Sequence, residues 1–287
     1  MVYPVQDIPR DQMKNVGNIL SKTILEIMRL SNFIIIFFMT IPSYLIAQDM
    51  NHWFPDLETQ DNNTIIEKKL ALIIANTAYL IHDLDLKNPK NDAHLIAQAL
   101  TDIGFDVIIK ENLNFFEFKN QIREFKNKQS EYDLSLFYYA GHAYQDENGN
   151  SFLKPIDYSL QDVLGKESIS VSNLLSYFER NNNNCLVILD ACRSLNSNGF
   201  PKPSIEDPMN VKVAFSTSFG KKASDESHSE NTLYARALST LLKADGLTIN
   251  EILHNTSKYV VSKTQERQYP VDYFGIKIED FKINPKK

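Results

Sequence analysis

From Lys68 onward the chain alternates apolar runs of strand length with amphipathic helical stretches, and that alternation restricts the architectures open to it. Leu70-Ala-Leu-Ile-Ile-Ala75 is continuously apolar, the pattern of a parallel strand covered by helices on both faces. A loop to Pro89 follows. Asn91 is then expected to cap a helix in which Leu95, Ile96, Ala99, Leu100 and Ile103 recur at helical spacing until Gly104 stops it. Strands are expected over 105–109, 133–140, 185–190 and 211–216, and helices over 115–125, 170–180, 232–243 and 248–263. Strands alternating with helices of this length predict an α/β fold, a mostly parallel sheet with helices on both faces.

Composition removes several function classes. The 287 residues are 43% hydrophobic, enough to bury one sizeable core. Thirty basic against 36 acidic residues give a net charge of −6, which argues against a nucleic-acid partner held on a basic face. Cys185 and Cys192 stand seven residues apart, about 23 Å along a strand, so they cannot pair in a disulfide. The six histidines are scattered and the cysteines lack zinc-site spacing, so no metal is expected. Neither a G-x-G-x-x-G nor a P-loop follows a strand, and no G-x-S-x-G elbow is present.

The N-terminal segment reads as an address. The apolar run from Phe33 to Ile41 is interrupted by Pro42 and falls short of the ~20 residues a membrane-spanning helix needs, so no stable membrane span is expected. From Met28 the layout is Arg29, an apolar middle, then Ala47 before polar Gln48-Asp49, which is that of a secretory signal peptide over 28–47. Residues 1–27 are then an over-extended start or a long leader, and 48–66 a polar linker. Export to a periplasmic or extracellular location is expected, with a membrane anchor or a buried core helix as the alternatives.

Chemistry in such sheets gathers where strands end at their carboxyl edge. The third strand of the pattern runs out as Tyr138-Tyr139-Ala140-Gly141-His142-Ala143 and the fourth as Ile188-Leu189-Asp190-Ala191-Cys192-Arg193. A histidine and a cysteine are offered at one edge, fifty residues apart in the chain. A cysteine nucleophile needs a base beside it in space to form thiolate. Taken singly, His142 could be a polar loop residue and Cys192 a buried small hydrophobe. Their joint placement favours a nucleophile–base pair, whereas Cys185 opens the same strand at its other end and reads as structural.

These motifs resemble the caspase-like cysteine peptidases, a family that includes metacaspases, paracaspases and their bacterial relatives. The resemblance runs over about residues 67–280, through Lys69-Leu-Ala-Leu-Ile-Ile-Ala75-Asn76 with Tyr79, Asn88-Pro89, Asn91-Asp92-Ala93, Tyr138-Tyr-Ala-Gly-His142 and Asp190-Ala-Cys192-Arg193. Phe215-Ser-Thr-Ser218, Tyr234-Ala-Arg-Ala-Leu238 and Gln268-Tyr-Pro270 carry it into the C-terminal part. It implies a three-layer fold around a six-stranded sheet, with a large part (67–193), a connector (194–210) and a small part (211–280). It also implies that Cys192 attacks the scissile carbonyl of a polypeptide, with His142 as general base and then acid. The oxyanion donors would be the backbone N–H groups of Cys192 and Ala143.

The residue after the family's histidine is usually glycine, and Ala143 departs from that pattern. Either its loop keeps ordinary backbone geometry, or the oxyanion hole is impaired and the chain is a caspase-like binding or regulatory module. Asp190 stands where aspartate-cleaving caspases carry glutamine, and a carboxylate there favours arginine or lysine at the cleaved position. The resemblance adds Asp92 and Asp225 as further walls of that pocket. Asp92 read alone would be a charge at a helix N-terminus and Asp225 a solvated loop residue. Within and after the connector, Lys202, Lys212, Lys221 and Lys222 are the basic candidates for self-cleavage. Asp225-Glu226-Ser-His-Ser-Glu230 lacks the alternating ligands and central glycine of a calcium loop, so no cofactor is expected and calcium activation has little to rest on. For the assembly the resemblance implies two alternatives, caspase sheets closing dimers through their last strand and metacaspase-like chains staying single; Phe274-Gly-Ile-Lys-Ile278 does not choose between them, and a monomer is the expectation.

Overall fold

The computed structural model describes residues 68–146, 148–159, 167–179, 184–191, 194–195, 209–218, 229–273 and 275–285. The expectations for 1–27, 28–47 and 48–66 lie outside these residues, as does most of the 194–210 connector.

Ten strands and five α-helices are present among them: β1 (Lys69–Ala75), α1 (Pro89–Asp102), β2 (Phe105–Glu111), α2 (Phe115–Lys128), β3 (Leu134–Ala140), β4 (Ala143–Gln145), β5 (Ser151–Leu153), β6 (Ile169–Ser170), α3 (Val171–Glu179), β7 (Asn184–Asp190), β8 (Ser194–Leu195), β9 (Val211–Phe215), α4 (Leu233–Leu242), α5 (Ile249–Lys263) and β10 (Val271–Tyr273). The six-stranded sheet has the order β10-β9-β7-β3-β1-β2, and all its pairs are parallel except β10 with β9. The chain moves from β1 outward to β2 and then back to β3 on the other flank of β1. The carboxyl ends of β1 and β3 therefore bound the crevice where such sheets bind their ligands.

Every residue of β1 and β3 is buried. Alternate side chains go to opposite faces: Leu70, Leu72, Ile74, Phe137 and Tyr139 join a core with α2 and α3, through Phe118, Phe125, Leu174 and Phe178. The intervening positions of these strands face the other layer, where α1, α4 and α5 pack together. The three-layer α/β architecture is thus the one expected.

Three local expectations are corrected. The first helix begins at Pro89 with Asn88 as its cap, not at Asn91, because proline at the first position loses no hydrogen bond and comes with its φ already helical. Asn91 instead donates its amide to the Glu230 carbonyl at 3.0 Å. A second sheet, β6-β5-β4-β8, had no counterpart in the sequence reading, since strands of two or three residues carry no measurable periodicity. Lys212 is no cleavage site in the folded chain: its side chain is 2% exposed and bonds Asp272 at 2.7 Å and Glu279 at 2.9 Å.

Lys212 thereby fastens β9 to β10 and to the turn that follows. Gly275 must lack a side chain, because a Cβ there would come 2.5 Å from Lys212 Cβ and 2.7 Å from its backbone. Lys212→Ala, which strands two half-buried carboxylates, is expected to cost about 3 kcal/mol in urea unfolding. Lys212→Met, which keeps the packed stem, should cost less.

Candidate active site

Tyr138 and Tyr139 are neighbours in β3 and so point to opposite faces of the sheet. Each organises one half of the site.

Tyr139 serves the histidine. Its hydroxyl is within donating distance of the His142 carbonyl (2.8 Å) and the Lys154 carbonyl (2.9 Å). The His142 carbonyl also accepts from the Lys154 backbone N–H at 2.9 Å. On the other side of the residue, the His142 N–H donates to the Tyr79 hydroxyl at 2.8 Å. The Tyr79 ring lies 4.9 Å from the imidazole, tilted by 55°. Between them Gly141 passes so close to both phenols that a Cβ would meet Tyr139 Oη at 2.5 Å and Tyr79 Oη at 3.0 Å.

The imidazole is fixed as well. His142 Nε2 lies 2.8 Å from the Leu84 carbonyl. A carbonyl only accepts, so this contact places the ring proton on Nε2 and leaves the Nδ1 lone pair as the basic position. Burial lowers the imidazole pKa, the Leu84 carbonyl opposes the shift, and the nearby Lys154 charge adds to it. The net direction keeps His142 neutral at neutral pH, the form in which it can take a proton.

Tyr138 serves the carboxylates. Its hydroxyl donates to Asp190 Oδ2 at 3.0 Å, and Thr232 Oγ1 lies 3.3 Å from the same oxygen. Asp92 Oδ1 accepts from the Asn231 amide at 3.0 Å and the Thr232 N–H at 2.9 Å. Thr232 caps α4, so Asp92 meets the N-terminus of α4 while sitting in the first turn of its own helix. Positive ends of two helix dipoles thus face one carboxylate. Asp92 is 1% exposed and Asp190 8%. Burial foremost, then the Asp190 charge, pushes the Asp92 pKa up to about 7, against the hydrogen bonds from Asn231 and Thr232. Burial likewise raises Asp190, opposed by Ser216, Tyr138 and Thr232. Among the described residues no cation is paired with either acid.

The sheet register aligns the two halves. Ala140 is the partner of Asp190, so the chain leading to His142 and the chain leading through Ala191 leave the sheet side by side. Cys192 and Asp225 lie outside the described residues. Ala143 opens β4 opposite Leu153 and is not among the residues with positive φ, so its Cβ forces no strain on the loop. Cys185 is fully buried, and desolvation pushes its thiol up to about 12, so it stays a protonated core residue. Among the described residues no cluster of three metal-ligating side chains occurs, and no helix is long and apolar enough to cross a membrane.

Sequence reasoning missed Asn231, Thr232, Tyr138 and Leu84 as parts of this site. Thr232 was legible as a helix start, but nothing in the chain ties it to Asp92, 140 positions away. Leu84 acts through its carbonyl, which leaves no mark in a side-chain pattern.

The chain belongs to the caspase domain family of cysteine peptidases, whose profile matches residues 68–277. Its curated relatives include the mucosa-associated lymphoid tissue lymphoma translocation protein 1 of Homo sapiens. The match is 27% identical over 222 residues, 74% of this chain and 27% of that protein. The Mus musculus homolog is 26% identical over 221 residues, 74% of this chain and 26% of its own length. The chain therefore spans about a quarter of these relatives. Among solved structures, the crystal structure of caspase-1 from Spodoptera frugiperda superposes with a TM-score of 0.58 at 18% identity. That match covers 76% of this chain and 93% of the other, a likeness of fold.

Proposed function

We propose that this chain is a cysteine endopeptidase that cleaves polypeptides after arginine or lysine. The observation that carries the reading is the buried pair Asp92 and Asp190, joined through Thr232 and lacking a cation among the described residues, one strand from the histidine loop. A guanidinium between them would supply the missing charge with directed hydrogen bonds.

In this mechanism His142 Nδ1 takes the proton of Cys192, and the thiolate attacks the carbonyl carbon after the basic residue. The tetrahedral oxyanion is met by the N–H groups of Cys192 and Ala143. Collapse of this intermediate breaks the C–N bond as His142 returns the proton to the leaving amine. Water, deprotonated by the same imidazole, then hydrolyses the thioester and frees Cys192. Ala143's ordinary backbone supports the active reading over an impaired binding module. No cofactor enters, and a monomer suffices for these steps.

The test is hydrolysis of fluorogenic peptides ending in arginine, lysine or aspartate by the folded chain. Turnover after the basic residues, abolished by Cys192→Ala, is expected. Preference for aspartate would overturn the pocket assignment, and absence of turnover on every peptide would overturn the peptidase.

A further inference from the structure

Taking the peptidase reading as its basis, we propose that Tyr79 is a positioning residue for His142: its hydroxyl holds the histidine's backbone and its ring backs the imidazole, so the loop after β1 sets the aim of the base.

That loop grips His142 twice. Tyr79 Oη accepts from the His142 N–H, and the Leu84 carbonyl faces Nε2, both at 2.8 Å. The two grips are not independent, because the loop is closed on itself. The Tyr79 N–H donates to Asp85 Oδ1 at 2.7 Å, the Leu86 N–H to the Thr77 carbonyl at 2.9 Å and the Leu84 N–H to the Ile81 carbonyl at 2.8 Å. It is also tied outward, Leu80 N–H to the Ile156 carbonyl at 2.9 Å. A displacement of Tyr79 therefore carries the Leu84 carbonyl with it, and the imidazole loses backbone tether and ring partner together.

The placement of Tyr79 is not what packing alone demands. The ring is 2% exposed, yet its hydroxyl accepts from the main chain of the proposed base and shares a further hydrogen bond with the Tyr139 hydroxyl. Gly141 is the concession the chain makes, since any side chain there would push the phenols away. Burial pushes the Tyr79 phenol up to about 12, so it stays protonated and uncharged wherever the enzyme works. Across the same residue Tyr139 and the Lys154 N–H hold the His142 carbonyl. In a trans peptide this fixes the opposed Ala143 N–H as well. The peptides on both sides of the base are thus oriented by phenols.

The decisive variant is Tyr79→Phe, which keeps the ring and deletes the acceptor. Positional loosening of a catalytic group costs on the order of 10-fold to 100-fold in rate, so kcat should fall by that factor. KM for an arginyl peptide should stay within about twofold, because the acid pocket faces the opposite side of the sheet from Tyr139. Leu80→Ala, at the exposed tip of the same loop, should leave kcat unchanged. A readout independent of turnover is 15N NMR of the His142 imidazole. The wild type is expected in the Nε2–H tautomer, with mixed tautomers in Tyr79→Phe. An unaltered imidazole spectrum and kcat in Tyr79→Phe would overturn this role alone. So would a KM that rises in step with the loss of kcat, since that marks collapse of the whole site. A wild type that turns over no peptide would instead overturn the peptidase reading on which it rests.

Discussion

Asp92→Asn is expected to lower kcat/KM for arginyl peptides by about 100-fold while making the folded protein more stable at pH 8. The loss follows from deleting one charge of the pair that receives the guanidinium, at 2–5 kcal/mol for a buried charge-assisted contact. The gain follows from linkage. Asp92 is pushed up to about 7 from the ordinary carboxyl value of 3.8, so the native state holds its proton more tightly than the unfolded chain does. Protein stability from this group is present below about pH 4 and is lost as pH rises toward 7. Asparagine carries no such penalty and can still accept from Asn231 and Thr232. Thermal melts of the two proteins should diverge at pH 8 and converge as pH falls to about 4. In the wild type the same ionisation should make kcat/KM for arginyl peptides climb through about pH 7. A variant that is less stable at pH 8, or equally active, would contradict the assignment of Asp92 to an unneutralised pocket.

The second large effect belongs to Gly141→Ala. The new Cβ would stand 2.5 Å from Tyr139 Oη and 2.9 Å from Tyr139 Cζ. That hydroxyl is not free to yield, because it is buried and held between two carbonyls. Overpacking of this kind costs about 1–3 kcal/mol, and here the displaced backbone is the one that carries His142. Stability measured by urea unfolding should fall by that amount. Activity should fall further than stability accounts for, by a factor of roughly 100 for a misplaced base. Tyr139→Phe in the same chain removes the nearest obstructing atom and should restore part of the stability. Wild-type activity in Gly141→Ala would mean that the phenols do not constrain the histidine loop.

How legible the molecule was in its sequence follows the physics of each element. β1, β3 and β7 were readable because parallel strands buried on both faces are continuously apolar, and their ends at Ala140 and Asp190 fall in register as expected. Helix boundaries came within a few residues, the Asn91 cap being displaced by Pro89. β4, β5 and β6 were not readable, since two or three residues give no pattern, although β4 supports the residue after the histidine. At the site, Asp92 and Asp190 were visible as acids, and the structure brings them together through Thr232. What holds them was hidden: Asn231 and Thr232 become their partners only when α4 folds against α1. The carbonyl of Leu84 and the hydroxyl of Tyr79 act on His142 across more than fifty positions, through contacts that no local spacing encodes.

In the proposed mechanism Cys192, paired with His142 and served by an acidic pocket, forms the acyl-enzyme. Its most direct measurement is mass spectrometry of the protein after treatment with an arginyl acyloxymethyl ketone. One adduct is expected, on Cys192, formed far more slowly in His142→Ala and in Asp92→Asn. Labelling of Cys185 instead, or equal labelling by an aspartyl ketone, would contradict it.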